Sequence, residues 1–210
     1  MSEFPIDVDI EIRAIVGPVV WLAAPVRVVE RDALMDEPLR AAAAAMRAAP
    51  EPADVIAAVR TMYKRFGIDP TKTRPSSEAL LRRVRRGDDI PRINSLVDII
   101  NWTSLETQLS FGLYDAGCIR GAVTMRRGRE GEEYAGIRKD TVHVSGRLVL
   151  ADVIGPFGNP TSDSARTMVT PSTESALVVI YAPAGLARAV AERARELTER
   201  RIDQFCRTVQ

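Results

Sequence analysis

Histidine is almost missing from this sequence: His143 is the only one in 210 residues. Cys118 and Cys206 are the only cysteines, and they show neither metal-ligand spacing nor a disulfide pattern. These shortages exclude the commonest zinc sites and weaken any Ser-His or Cys-His nucleophile scheme. Charge of one sign is also absent, because 29 lysines and arginines face 28 acids for a net charge of +1. A protein that coats nucleic acid is usually more basic, so no DNA partner is expected and any RNA contact falls to local patches. No apolar run is long enough to cross a bilayer, and no basic-then-apolar leader opens the chain. No membrane partner is expected, and the expected compartment is the cytoplasm.

What is present is a globular composition, 46% hydrophobic and 27% charged, in a chain long enough for a real core. Residues 8–29 alternate loosely and are broken by Gly17, Pro18 and Pro25, which predicts two or three short strands. "DEPLRAAAAAMRAAP" predicts an alanine-rich helix stopping at Pro50. "EPADVIAAVRTMYKRFGIDP" predicts a second, with Asp54 as N-cap and Gly67 at its stop. "RPSSEALLRRVRRGDDIP" predicts a third, capped by Ser76 or Ser77 and ended by Gly87. In "PRINSLVDIIN" Ile93, Leu96, Val97 and Ile100 recur at helical spacing, but so do Asn94, Asp98 and Asn101 on another face.

From Cys118 the period becomes two. "CIRGAVTMR", "GRLVLADVIG" and "SALVVIYAP" read as strands, and a helix runs from about 184 to 207. Strands, a helical middle, strands and a final helix predict an α+β fold in one domain over residues 1–210.

Five stretches carry more than periodicity. "YKRFGIDPTKTRPSSEALLRRV", "PRINSLVDIIN", "YDAGCIRGAVTMRRGREGEE", "GRLVLAD" and "ARTMVTPST" together resemble the B3/B4 editing domain of the phenylalanyl-tRNA synthetase β subunit, particularly its free-standing homologues. They keep the family's order and cover residues 63–182. Residues 1–60 and 184–207 resemble the free-standing form only in general layout.

The resemblance implies a single three-layer β/β/α domain. It also implies a pocket that, in the synthetase, hydrolyses tyrosine wrongly esterified to phenylalanine tRNA, using neither a metal nor a Ser-His nucleophile. No cofactor or metal is therefore expected. Catalysis of that kind is positioning plus electrostatic stabilisation.

On this pattern Asn101 matches an asparagine lining the editing pocket, where it can hold an ester carbonyl or a water, and it is the candidate catalytic residue. Asn94 and Asp98 belong to the same polar file. Asn94 also fits a helix cap, and Asp98 a structural carboxylate. Glu132 matches a family glutamate, and Arg166 and Thr170 match Arg-Thr positions suited to a carboxylate, a phosphate or a terminal adenosine, or to a strand turn.

Three departures bear on the substrate. Ile100 stands where the family has threonine, Gly112 where it often has histidine, and Ala165 where a glutamate reads the tyrosine hydroxyl; Asp163 is two residues away. A pocket that hydrogen-bonds a hydroxyl needs that group in place, so a substrate other than tyrosine is expected. Arg82, Arg83, Arg86 and Arg127 are the candidate RNA contacts, against a reading as a solvated face.

Three functions follow as expectations: a deacylase acting on mischarged aminoacyl-tRNA, a hydrolase of a small amino-acid-derived acyl compound, or a non-catalytic amino-acid or tRNA-binding module.

Overall fold

The structure, a computed structural model, describes residues 2–137 and 141–207. In chain order its strands and helices are β1 (Ser2–Glu3), β2 (Asp7–Val8), β3 (Val19–Ala23), α1 (Asp36–Ala48), α2 (Ala53–Arg65), α3 (Ser76–Arg85), α4 (Ser95–Thr107), β4 (Phe111–Asp115), β5 (Thr124–Arg127), β6 (Glu133–Tyr134), β7 (Val142–His143), β8 (Leu148–Ala151), β9 (Pro156–Gly158), β10 (Ala176–Ile180) and α5 (Arg188–Phe205).

One antiparallel sheet has the order β1-β3-β10-β4. A second has the order β2-β5-β8-β9, parallel only between β2 and β5. The strands β6 and β7 form a separate hairpin. This is an α+β fold. Its central strands explain their own composition: β10, Ala-Leu-Val-Val-Ile, is buried at every position, so its run is continuously apolar rather than alternating.

α4 lies against β4 and α5 against β3, while α1 and α3 pack on α4. Across the first sheet, Tyr114 of β4 meets Phe157 of β9 edge-on, with ring centroids 5.0 Å apart. α4 is enclosed by neighbours on most sides, and so it buries polar residues along with Leu96, Ile99 and Leu105. Arg201 of α5 ties it down. Its guanidinium stacks 3.6 Å from the Trp102 ring centroid and donates to Thr103 Oγ1 and Glu106 Oε2.

Several local expectations change. α2 begins after Pro52, and Asp54 sits in its first turn rather than at the cap. α3 begins after Pro75 without a side-chain cap; Ser77 is buried and donates instead to the Gln108 carbonyl. The strand expected from Cys118 starts only at Thr124. Asp115 caps a 3-10 turn over Ala116–Cys118, and Gly121 at φ +69° breaks extension.

Candidate functional site

One face of α4 (Val97, Ile100, Asn101 and Ser104) forms a wall of a cavity of about 370 Å³. Their spacing of three and four residues keeps them in one file. Asn94 and Ile93 precede that wall, Phe111 and Leu113 of β4 add to it, and the loop 159–163 closes the opposite side. The lining is largely apolar with a few convergent polar groups, the usual make-up of a small-molecule site.

The loop wall is built from turn chemistry. Asn159 Oδ1 accepts from the backbone N–H groups of Thr161 (2.7 Å) and Ser162 (2.9 Å), and its Nδ2 donates to the Tyr134 hydroxyl at 2.8 Å. That hydroxyl donates in turn to the Ser162 carbonyl. The Tyr63 hydroxyl donates to the Pro160 carbonyl at 2.9 Å. Asp163 follows on this fixed loop, its carbonyl accepting from Ile137 N–H at 3.1 Å.

Asp163 has unusual surroundings. Its Oδ1 is buried and has no hydrogen-bond partner among the described residues. Burial pushes its carboxyl up to about 7, with the Tyr114 hydroxyl pulling the other way. Tyr114 and Tyr181 share a hydrogen bond of 2.6 Å between their hydroxyls. Tyr63, Tyr114, Tyr134 and Tyr181 all lie close enough for the Asp163 charge to hold their own ionisation back, after the larger effect of burial.

Of the residues singled out from sequence, Asn94, Ile100, Asn101 and Asp163 line the cavity. The Asn101 side chain is half-buried and has no hydrogen-bond partner among the described residues. Asn94 is a helix cap, its Oδ1 accepting from Val97 N–H at 2.9 Å. Asp98 lies behind the wall, fully buried, accepting from Arg92 Nε at 2.6 Å and from Ile93 N–H at 2.8 Å. It anchors the start of α4 and does not face the cavity.

The remaining candidates lie outside the cavity lining. Gly112 gives up its side-chain space to Tyr114: a Cβ built there would overlap the Tyr114 hydroxyl, and so would one on Gly158. Glu132 is taken by Arg126 in a two-point pair at 2.7 and 2.8 Å. Arg166 makes a similar pair with Asp152 and donates to the Cys118 carbonyl, so its fork is occupied. Thr170 bonds Ser172 within a turn. Ala165 is exposed at the start of a 3-10 turn, Ala165–Thr167, capped by Ser164. The acid in the cavity lining is therefore Asp163, and Ala165 is not part of it.

The arginines are largely spoken for. Arg83 donates to the Asp89 carbonyl, and Arg127 donates to the Gly146 and Arg65 carbonyls while stacking on Phe66. Arg82 and Arg86 are exposed. They lie roughly 9–15 Å along α3 from Ser76, the α3 residue that lines the cavity. His143 is exposed and paired with Glu133 outside the lining, and no cluster of three metal-ligating side chains forms among the described residues. No helix among them is long and apolar enough to cross a membrane.

Sequence reading missed Asn159, Thr161 and Ser162. The available signal was the polar "GNPTSD" segment between two apolar runs, where Asn and Pro announce a built turn.

Residues 58–210 match a family model described as the B3/4 domain. No curated protein matches the chain. Among solved structures, an N-terminal fragment of the phenylalanyl-tRNA synthetase β subunit from Pyrococcus horikoshii is similar, with a TM-score of 0.53 at 12% identity. The match covers 98% of this chain and 50% of that fragment, so the chain spans about half of its length. At that identity the likeness concerns the fold.

Proposed function

The chain belongs to the B3/4 domain family, and from that membership and the cavity we propose that it is a deacylase that hydrolyses the ester joining an amino acid to tRNA, acting in trans. The observation that carries this reading is the Asn101 amide, which lines the cavity without a side-chain hydrogen-bond partner among the described residues. A polar group left unpaired at such a place is ready for a ligand, and its N–H can face the oxygen on which charge develops as the ester carbonyl is attacked. Fixed donors of this kind lower a barrier because no reorganisation is needed when the charge appears.

Asp163 bears on the choice of amino acid. Ala165 stands where the family has its hydroxyl-reading glutamate, so a substrate other than tyrosine stays the reading, with Asp163 the carboxyl that would face its side chain.

The test is a deacylation screen over a full panel of aminoacyl-tRNAs, with Asn101→Ala as the control. At least one ester is expected to be hydrolysed well above buffer, with a loss of ~100-fold or more in the variant, the size found when one oxyanion donor is removed. A panel that stays at the buffer rate throughout sinks the reading.

One observation favours a second reading, a hydrolase of a small amino-acid-derived acyl compound. Arg127 gives both terminal nitrogens to backbone carbonyls and Arg83 gives its Nε to one, which leaves a thin basic footprint for RNA centred on exposed Arg82 and Arg86. Turnover of a small aminoacyl ester without tRNA binding at moderate salt would select it.

A further inference from the structure

We propose that Asp163 is the general base of the cavity, taking a proton from the water that attacks the ester. This rests on the hydrolase reading above and adds to it the residue that activates the nucleophile.

The argument begins by elimination. Asp163 is the only ionisable side chain among the described residues that line the cavity. The single histidine is exposed and paired with Glu133 elsewhere, and neither cysteine is in the lining. Among the described residues, none in the lining offers the serines and threonines there an imidazole or amine to remove a proton.

Geometry supplies the rest. Asp163 Oδ1 is buried and unpaired among the described residues, while the residue as a whole is only half-buried and lines the cavity, so the carboxyl is partly desolvated and still within reach of what the cavity holds. The carboxyl sits on a loop fixed by Asn159 and by Tyr63, and so it is held rather than mobile. The groups that face it are phenols from four places: Tyr63 of α2, Tyr114 of β4, Tyr134 of β6, and Tyr181 just after β10. No arginine or lysine pairs with it among the described residues. A carboxyl so placed is a far better proton acceptor than a solvated one, and titration near 7 suits a base working at neutral pH.

The step balances without a co-reactant. The water oxygen bonds to the ester carbonyl carbon as the Asp163 carboxylate takes one of its protons. The carbonyl electron pair moves to oxygen, opposite the Asn101 amide N–H. On collapse, the bond from that carbon to the ribose oxygen breaks, and the ribose oxygen receives the proton back from Asp163. Water and ester become a free amino acid and a free hydroxyl.

The experiment measures kcat and KM for wild type, Asp163→Asn and Asp163→Ala on the aminoacyl-tRNAs of the panel, between pH 5.5 and 8.5, corrected for buffer hydrolysis. A wild-type kcat/KM that is low in acid and rises to a plateau through about 7 is expected. Asp163→Asn should lower kcat by ~10²–10⁴-fold, the usual contribution of a general base, with KM little changed. Added formate should restore part of the rate to Asp163→Ala. Thermal melts at pH 8 separate this from unfolding, because Asp163→Asn should melt no lower than wild type.

If wild type is active and Asp163→Asn keeps its rate and pH profile, the general base is overturned while the deacylase stands. If the variant changes KM or substrate preference alone, Asp163 is a recognition group and the proposal falls. If wild type hydrolyses nothing in the panel, the deacylase reading falls and this assignment with it.

Discussion

Two aspartates flank the cavity in opposite circumstances, Asp98 fully buried and Asp163 half-buried. Asp98, behind the helical wall, receives a guanidinium and a backbone N–H, and Arg92 is itself held by Asp36 and the Asp32 carbonyl. Asp163, in the loop wall, has phenols around it and keeps one oxygen unpaired among the described residues. Burial pushes both carboxyls up, but only Asp98 has a cation pulling it back. The contrast separates a carboxylate used to set a helix in place from one left available for chemistry. The same division runs through the asparagines: Asn94 spends its side chain on the α4 N-terminus and Asn101 does not.

The sharpest way to break this contrast is to remove each carboxyl and measure urea unfolding. Asp98→Ala leaves Arg92 half-paired in a buried setting and frees the Ile93 N–H. It should cost about 3–5 kcal/mol, as breaking a buried pair does. A loss under about 1 kcal/mol would mean that Asp36 alone holds Arg92.

Asp163→Asn should act in the other direction. A carboxyl raised from 3.8 to about 7 on folding binds protons as the chain folds, so the acid lowers stability progressively as pH rises through that window. The variant should match wild type near pH 4 and exceed it at pH 8 by on the order of 3 kcal/mol. A difference that does not grow with pH would place the Asp163 charge in contact with water.

The smallest effect belongs to the cap. Asn94→Ala should cost about 1 kcal/mol, since one N–H at the start of α4 loses its acceptor. A much larger loss would show that Asn94 also supports the cavity wall through its Nδ2, which donates to the Val169 carbonyl at 3.5 Å.

Much of the scaffold was legible because it is written locally. The Asn94 cap, and the stops at Gly67 and Gly87 with φ of +72° and +101°, follow from short-range backbone rules. Where prediction failed, a neighbour overrode the local signal. Ser77 had a distant carbonyl to serve, so Pro75 opens α3. The loop that carries Asp163 folds through Asn159, and the capped turn after Ser164 turns Ala165 outward, so Asp163 lines the cavity and Ala165 does not. The character of Asp163 was not legible at all. It comes from side chains between positions 63 and 181 that only the fold assembles.

Those side chains have one more consequence. The sequence contains four tyrosines, and all four stand around a single carboxyl. The tyrosine absorbance of this protein is therefore an optical reporter of one place, the surroundings of Asp163. In an alkaline titration the phenols stay protonated while the fold is closed and ionise together when it opens, so a single ultraviolet trace follows the integrity of the site without a label.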